Sequence, residues 1–206
     1  NMRENMNAQQ ILNREDFKKC LEFHGHLCPG LSIGYRAARA GLKRLDQQRS
    51  EDEELVAIVE TDACSADAVQ VLTGCTFGKG NLIFKDYGKM VFTIASRNTG
   101  RGVRISLQPE AFSPEGEHME LLEKVMAGTA DESERKRFLK LHRQRSEQIL
   151  EMDEEKLFSV NSADINLPQK AKIDRSLICQ KCNEPAMAQK TTKTDGMVLC
   201  RDCSGR

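Results

Sequence analysis

Residues 55–85 read LVAIVETDACSADAVQVLTGCTFGKGNLIFK, and this stretch decides the fold. The apolar run from Leu55, closed by Glu60, predicts a buried strand. Thr61-Asp62-Ala63 makes a turn, and from Cys64 to Leu72 the apolar positions change to helical spacing, with Gly74 as the stop. A Gly-rich loop, residues 74–81, then leads into a strand-like segment at Leu82–Lys85. Two more strand-like segments follow at Lys89–Ser96 and Val103–Leu107, with Asn98–Gly102 as the hairpin turn between them.

Helices flank this centre. Upstream, an amphipathic helix is expected over Asn7–Phe23, with Ile11, Phe17, Cys20 and Leu21 on one face. A second is expected over Pro29–Leu45, since Pro suits the first helical position and Leu31, Tyr35, Ala38 and Leu42 recur at helical spacing. Its small residues, Ser32, Gly34, Ala37, Ala38, Ala40 and Gly41, permit close approach of another element. Downstream, helices are expected over Glu115–Ala127 and Asp131–Met152. The second is highly charged with a thin apolar stripe (Phe138, Leu141, Ile149, Leu150), the pattern of a surface helix or one that meets a partner protomer. This order predicts an α+β fold: an antiparallel or mixed sheet with helices packed on it, followed by a small C-terminal zinc ribbon. The expected domains are residues 1–158 for the α+β core, 159–175 for a connector and 176–206 for the ribbon.

The ribbon is read from two Cys-x-x-Cys pairs, Cys179/Cys182 and Cys200/Cys203, separated by seventeen residues. Each pair can clamp one side of a tetrahedral ion, and the insert is long enough for a hairpin to bring the pairs together. The segment after Ser176 has too little apolar content for a core of its own. A structural zinc would therefore supply most of its folding free energy, roughly 10–16 kcal/mol apparent at neutral pH for such modules.

A second concentration of ligand types lies at His24-Gly25-His26-Leu27-Cys28-Pro29-Gly30, which holds two of the four histidines in the chain. Two imidazoles and a thiol are borderline-soft donors for zinc or a similar transition metal. Gly25 lets the chain bend so that the imidazoles need not splay apart. Cys28 falls at a helix start, where the dipole and free N–H groups favour thiolate. Two other readings stand beside this one: His24 and His26 as capping groups with Cys28 as core filler, and Cys28 as a catalytic nucleophile with a histidine base. Cys64 and Cys75 are the candidates for a further ligand. A helix between them would hold them roughly 16 Å apart at about 1.5 Å per residue, so they could not share one ion unless the helix breaks or a second protomer contributes. Cys64, at a second helix start, is the preferred donor; Asp67, one turn on, reads as an ordinary first-turn acid.

Several functions are disfavoured. The Gly-rich loop has three residues between Gly74 and Gly78 where a P-loop needs four before its Gly-Lys pair, and it leads into a strand; it reads as a structural turn. Lys+Arg and Asp+Glu balance at 31 each, so no global basic field points to nucleic acid. Within the ribbon, Lys190, Lys193 and Arg201 are offset by Glu184, Asp195 and Asp202. Arg97, Arg101 and Arg104 read as solvated loop arginines, and His118 and His142 fall on polar helix faces. The apolar runs are too short to span a bilayer, and four of the eight cysteines have zinc spacing while the rest suit free thiols. A cytoplasmic setting with no membrane partner is the expectation.

Taken together, Phe23-His24-Gly25-His26-x-Cys28-Pro29-Gly30, Cys64-x-x-Asp67-Ala68-Val69-Gln70 and Thr73-Gly74-Cys75-Thr76-x-Gly78-Lys79-Gly80-Asn81-Leu82 resemble the FmdE family, named for a component of formylmethanofuran dehydrogenase. The resemblance implies an α+β core with a metal site near the His-Gly-His-x-Cys motif, a homodimer and a C-terminal zinc finger. It also implies an association with a molybdenum or tungsten enzyme. The expected metal ligands are Cys179, Cys182, Cys200 and Cys203 for a structural zinc. For a second transition metal, zinc or similar, they are His24, His26, Cys28 and Cys64. That second site could take a small-molecule ligand. A hydrolase or transferase using this metal or Cys28, and a nucleic-acid-binding regulator built on the ribbon, are the alternative functions.

Overall fold

The computed structural model describes residues 6–112, 116–171 and 174–205. They divide into two compact units, residues 1–170 and 171–206. Unit one carries a mixed five-stranded sheet ordered β2-β1-β3-β4-β5. Its strands are β1 (Leu55–Val59), β2 (Leu82–Phe84), β3 (Val91–Ser96), β4 (Gly102–Leu107) and β5 (Phe158–Ala163). β1 and β2 run parallel, and every other neighbour is antiparallel. The expected α+β class with a mixed sheet holds.

Register puts one apolar row above another. Ala57 pairs with Ile94 and Ile94 with Val103; Val59 pairs with Phe92 and Phe92 with Ile105. All six side chains enter one hydrophobic cluster with Leu31, Ala37, Ala38, Val69 and Leu72. These last five belong to α3 (Pro29–Leu45) and α4 (Ser65–Thr73), the helices laid on the sheet. Gly41 of α3 sits so close to the sheet that a Cβ there would meet Ile94 at 2.7 Å.

The opening helix is broken. α1 (Ala8–Leu12) begins with an Asn7–Gln10 capping box, and α2 (Glu15–His24) restarts after an extended Arg14. The Arg14 guanidinium is held by Asp16 and by the Tyr35 hydroxyl, interactions the apolar periodicity does not encode. After β4 come α5 (Pro109–Phe112), α6 (Glu117–Met126), α7 (Glu132–Glu151) and α8 (Glu154–Leu157). The expected start of α6 at Glu115 lies outside the described residues. α7 opens with a reciprocal Asp131–Glu134 capping box. Arg36 of α3 donates to the Ile149 and Leu150 carbonyls at its other end.

The expected connector contains a strand. β5 pairs with β4 over six residues, so Phe158–Ala163 completes the core sheet. Polar Ser159, Asn161 and Ser162 hide a strand that lies at a sheet edge, where Asn161 and Ser162 are both exposed. Among the described residues, no helix is long and apolar enough to cross a membrane.

The second unit holds two small antiparallel pairs: β6 (Ser176–Ile178) with β7 (Pro185–Met187), and β8 (Thr191–Thr194) with β9 (Met197–Cys200). A short helix, α9 (Arg201–Ser204), follows. Among its described residues only Cys179 and Leu199 are buried.

Candidate metal centres

In the core unit, two helix starts meet. Cys28 is the N-cap of α3, with Pro29 next to it, and its sulfur accepts the Leu31 N–H at 3.3 Å. Cys64 occupies the N-cap position of α4. The approach depends on missing side chains. A Cβ on Gly34 would lie 2.1 Å from the Ser65 carbonyl oxygen, and one on Gly30 would lie 3.1 Å from the Cys64 Cβ. Cys64 thus stands against α3, near enough to Cys28 to raise its pKa, but it falls outside the close donor group that His24, His26 and Cys28 form.

Between α2 and α3 the chain reverses at Gly25, whose φ of 95° is left-handed and suits glycine. The reversal brings the His24 and His26 rings together, with centroids 4.4 Å apart. His24 Nε2 lies 3.6 Å from Cys28 Sγ, and His24 Nδ1 lies 2.7 Å from Asp67 Oδ2. One donor atom each from His24, His26 and Cys28 fall within 4.8 Å of one another. Cys28 is buried, His24 half-buried and His26 exposed, so the group opens to solvent on one side. Zn–N near 2.05 Å and Zn–S near 2.3 Å in a tetrahedron would separate N from S by about 3.6 Å, so this donor pair suits zinc.

Electrostatics correct one expectation. Burial pushes the Cys28 thiol up to about 12, the Leu31 N–H lowers it only in part, and neighbouring Cys64 raises it further. The helix-start contribution is present but loses to desolvation, so without a cation Cys28 stays a thiol at neutral pH. Cys20 is raised likewise to about 12 by burial first and by Asp16 second.

Other residues singled out in the sequence fall elsewhere. Cys75 is fully buried in the hydrophobic cluster, its N–H bonded to Thr73 Oγ1. The Gly-rich loop closes on itself: Asn81 accepts the Thr76 N–H and donates to the Leu55 carbonyl, and Lys79 donates to the Glu51 and Asp52 carbonyls. The arginines disperse: Arg97 to the Pro168 carbonyl and Glu53, Arg101 to the Arg44 carbonyl, Arg104 to Glu60. His118 and His142 depart most from expectation. His118 is buried between α6 and α7, 3.1 Å from His142, and both rings lie against Phe138. Their spacing on charged helices gave no sign of this pairing, which needs the two helices folded together.

In the ribbon, Cys179, Cys182, Cys200 and Cys203 converge, their sulfurs all within 4.8 Å of one another. Cys182 and Cys200 are 3.9 Å apart, against about 3.8 Å for two sulfurs on one tetrahedral zinc at 2.3 Å each. Backbone N–H groups point at them: Cys200 N–H to Cys179 Sγ and Cys203 N–H to Cys200 Sγ. N–H bonds, chiefly from Cys182 and Cys200, hold Cys179 down to about 6. Cys203 is pushed up to about 12, first by its bond to Cys200 and then by burial. The thiolate is thus favoured at Cys179 and disfavoured at Cys182 and Cys203, and a bound cation would offset the repulsion among the sulfurs.

Fold and sites together define an α+β protein with two groups of Cys and His compatible with metal binding, one of them in a separate ribbon. The model of the FmdE family, described as molybdenum formylmethanofuran dehydrogenase operon, matches residues 23–159, and the chain belongs to that family. A probable S-adenosyl-L-methionine-binding protein of Archaeoglobus fulgidus is 36% identical over 98% of this chain. The chain spans only 56% of that relative's length. A crystal structure of a tungsten formylmethanofuran dehydrogenase FmdE-like protein from Syntrophus aciditrophicus matches with a TM-score of 0.58 at 26% identity, covering 96% of this chain and 92% of that one.

Proposed function

We propose that this is a two-site metal protein, in which Cys179, Cys182, Cys200 and Cys203 hold a structural zinc. His24, His26 and Cys28, with Cys64 beside them, hold a second transition metal, zinc or similar. The observation that carries the reading is the separation of two donor sets, each within 4.8 Å, in different units of the chain. The ribbon set is closed by four thiols, whereas the core set leaves its His26 side exposed. A metal held in the core would supply a Lewis acid with room for an exogenous ligand.

The protein then serves as an accessory or sensing component of formylmethanofuran dehydrogenase-type redox metabolism, supported by its family membership and the name of its solved relative. A cytoplasmic homodimer belongs to this reading, supported by exposed Met126 and Leu139 on α6 and α7. S-adenosyl-L-methionine is the first small molecule to titrate, given the name of the Archaeoglobus relative. Metal content of the full chain tests the core claim. Two ions per chain are expected, falling to one in a His24→Ala, Cys28→Ser variant and to a different one in Cys179→Ser, Cys200→Ser. One ion in the wild type, lost only from the ribbon variant, removes the core site.

The nucleophilic alternative requires a reactive Cys28. Its burial and raised pKa predict the reverse: in metal-free protein Cys28 should alkylate at neutral pH no faster than Cys20. Rapid selective labelling of Cys28 would restore that alternative.

A further inference from the structure

We infer that Asp67 is the positioning residue of the core site, fixing both the tautomer and the ring orientation of His24. This rests on the reading of His24 as a metal ligand. Asp67 Oδ2 lies 2.7 Å from His24 Nδ1, and the opposite ring nitrogen, Nε2, lies 3.6 Å from Cys28 Sγ. A carboxylate can only accept, so the proton between them belongs to Nδ1. A neutral imidazole carries one ring proton; with it on Nδ1, Nε2 keeps its lone pair and aims it at the sulfur. The imidazole is well enclosed, at 10% side-chain exposure, while Asp67 reaches it from a partly exposed position at 35%.

The placement of Asp67 depends on the same helix approach that assembles the site. It is the third residue after Cys64, in the first turn of α4. Gly30 and Gly34 let that turn abut α3, and α2 delivers His24 as its last residue. Three helices thereby contribute one group each to a continuous line, Asp67–His24–Cys28. Asp67 falls outside the close donor group of His24, His26 and Cys28, and its carboxylate meets the ring nitrogen of His24 opposite the one that faces Cys28. Loss of such a carboxylate partner typically weakens metal binding about 10–100-fold.

The test uses the full chain, with the ribbon as internal reference. Zinc is titrated against a competing chelator in wild type, Asp67→Asn and Asp67→Ala, and the His24 tautomer is read by 15N NMR of metal-free protein. The expected result is an Nδ1–H tautomer at His24 in the wild type. Core affinity should fall about 10–100-fold in Asp67→Ala, with ribbon affinity unchanged. Core affinity within about threefold of wild type in both variants overturns the inference, as does an Nε2–H tautomer in the wild type. The tautomer needs no variant, so it decides even if Asp67→Ala folds poorly. Failure of the underlying reading looks different: the wild type then binds a single ion, in the ribbon, whatever stands at residue 67.

Discussion

Cys28 carries two duties that single substitutions separate. Its sulfur caps α3 by accepting the Leu31 N–H, and the same atom faces His24 Nε2. Serine is a good N-cap, so Cys28→Ser should fold with near wild-type stability yet lose the core metal; alanine should lose both and cost about 1 kcal/mol of stability. Urea titration together with metal analysis checks the pair, and equal stability of the two variants would mean that the cap is idle. The donors themselves were legible from the chain, because two imidazoles and a thiol within five residues need only a local turn to converge. Asp67 was not. As a first-turn acid it satisfies a helix dipole whether or not anything lies in front of it, and it lies forty-three positions along the chain from the imidazole it bonds.

At the scale of elements, the site depends on how closely α3 and α4 pack. Gly34→Ala would put a methyl 2.1 Å from the Ser65 carbonyl oxygen, a backbone atom that cannot step aside alone. The expected cost is about 1–3 kcal/mol, with Cys64 drawn away from Cys28 and weaker core metal binding. Denaturant unfolding and metal content report the two effects, and an unchanged midpoint would show that the helices can separate freely. The α6–α7 pair offers a different handle. Burial first, then Arg145, lowers the His118 pKa; burial first, then His118 and His26, lowers that of His142. In the unfolded chain these histidines titrate at about 6.5, so it binds more protons in mildly acid solution. The contribution of these imidazoles to stability is present above the unfolded value and is lost as pH falls below it towards the lower folded values. Amide protection factors, corrected for the intrinsic pH dependence of exchange, should fall over residues 117–151 from about pH 7.5 to about pH 5.5 more than in the central strands. A His118→Gln, His142→Gln variant should flatten that difference, and an equal loss of protection in both proteins would trace it to other groups.

For the whole molecule, the two units should respond oppositely to chelation. The first has a broad hydrophobic cluster from Ala8 to Phe158, while the second buries only Cys179 and Leu199 among its described residues. Metal removal should melt residues 171–206 and leave the core unit folded, seen as proteolytic loss of the C-terminal segment with a persistent fragment of the first unit. A ribbon that resists protease without metal would contradict this. The sequence alone determined the α+β order, the strands from Leu55 to Leu107 and the four ribbon thiols. Each of these is written in local periodicity or in the spacing of near neighbours, which chain geometry turns directly into structure. Only the tertiary structure decided that Arg14 breaks the first helix, that Phe158–Ala163 joins the core sheet, that Asp67 meets His24 and that His118 meets His142. Those outcomes depend on which partner arrives from far along the chain, and the pattern around each residue is equally compatible with water in its place.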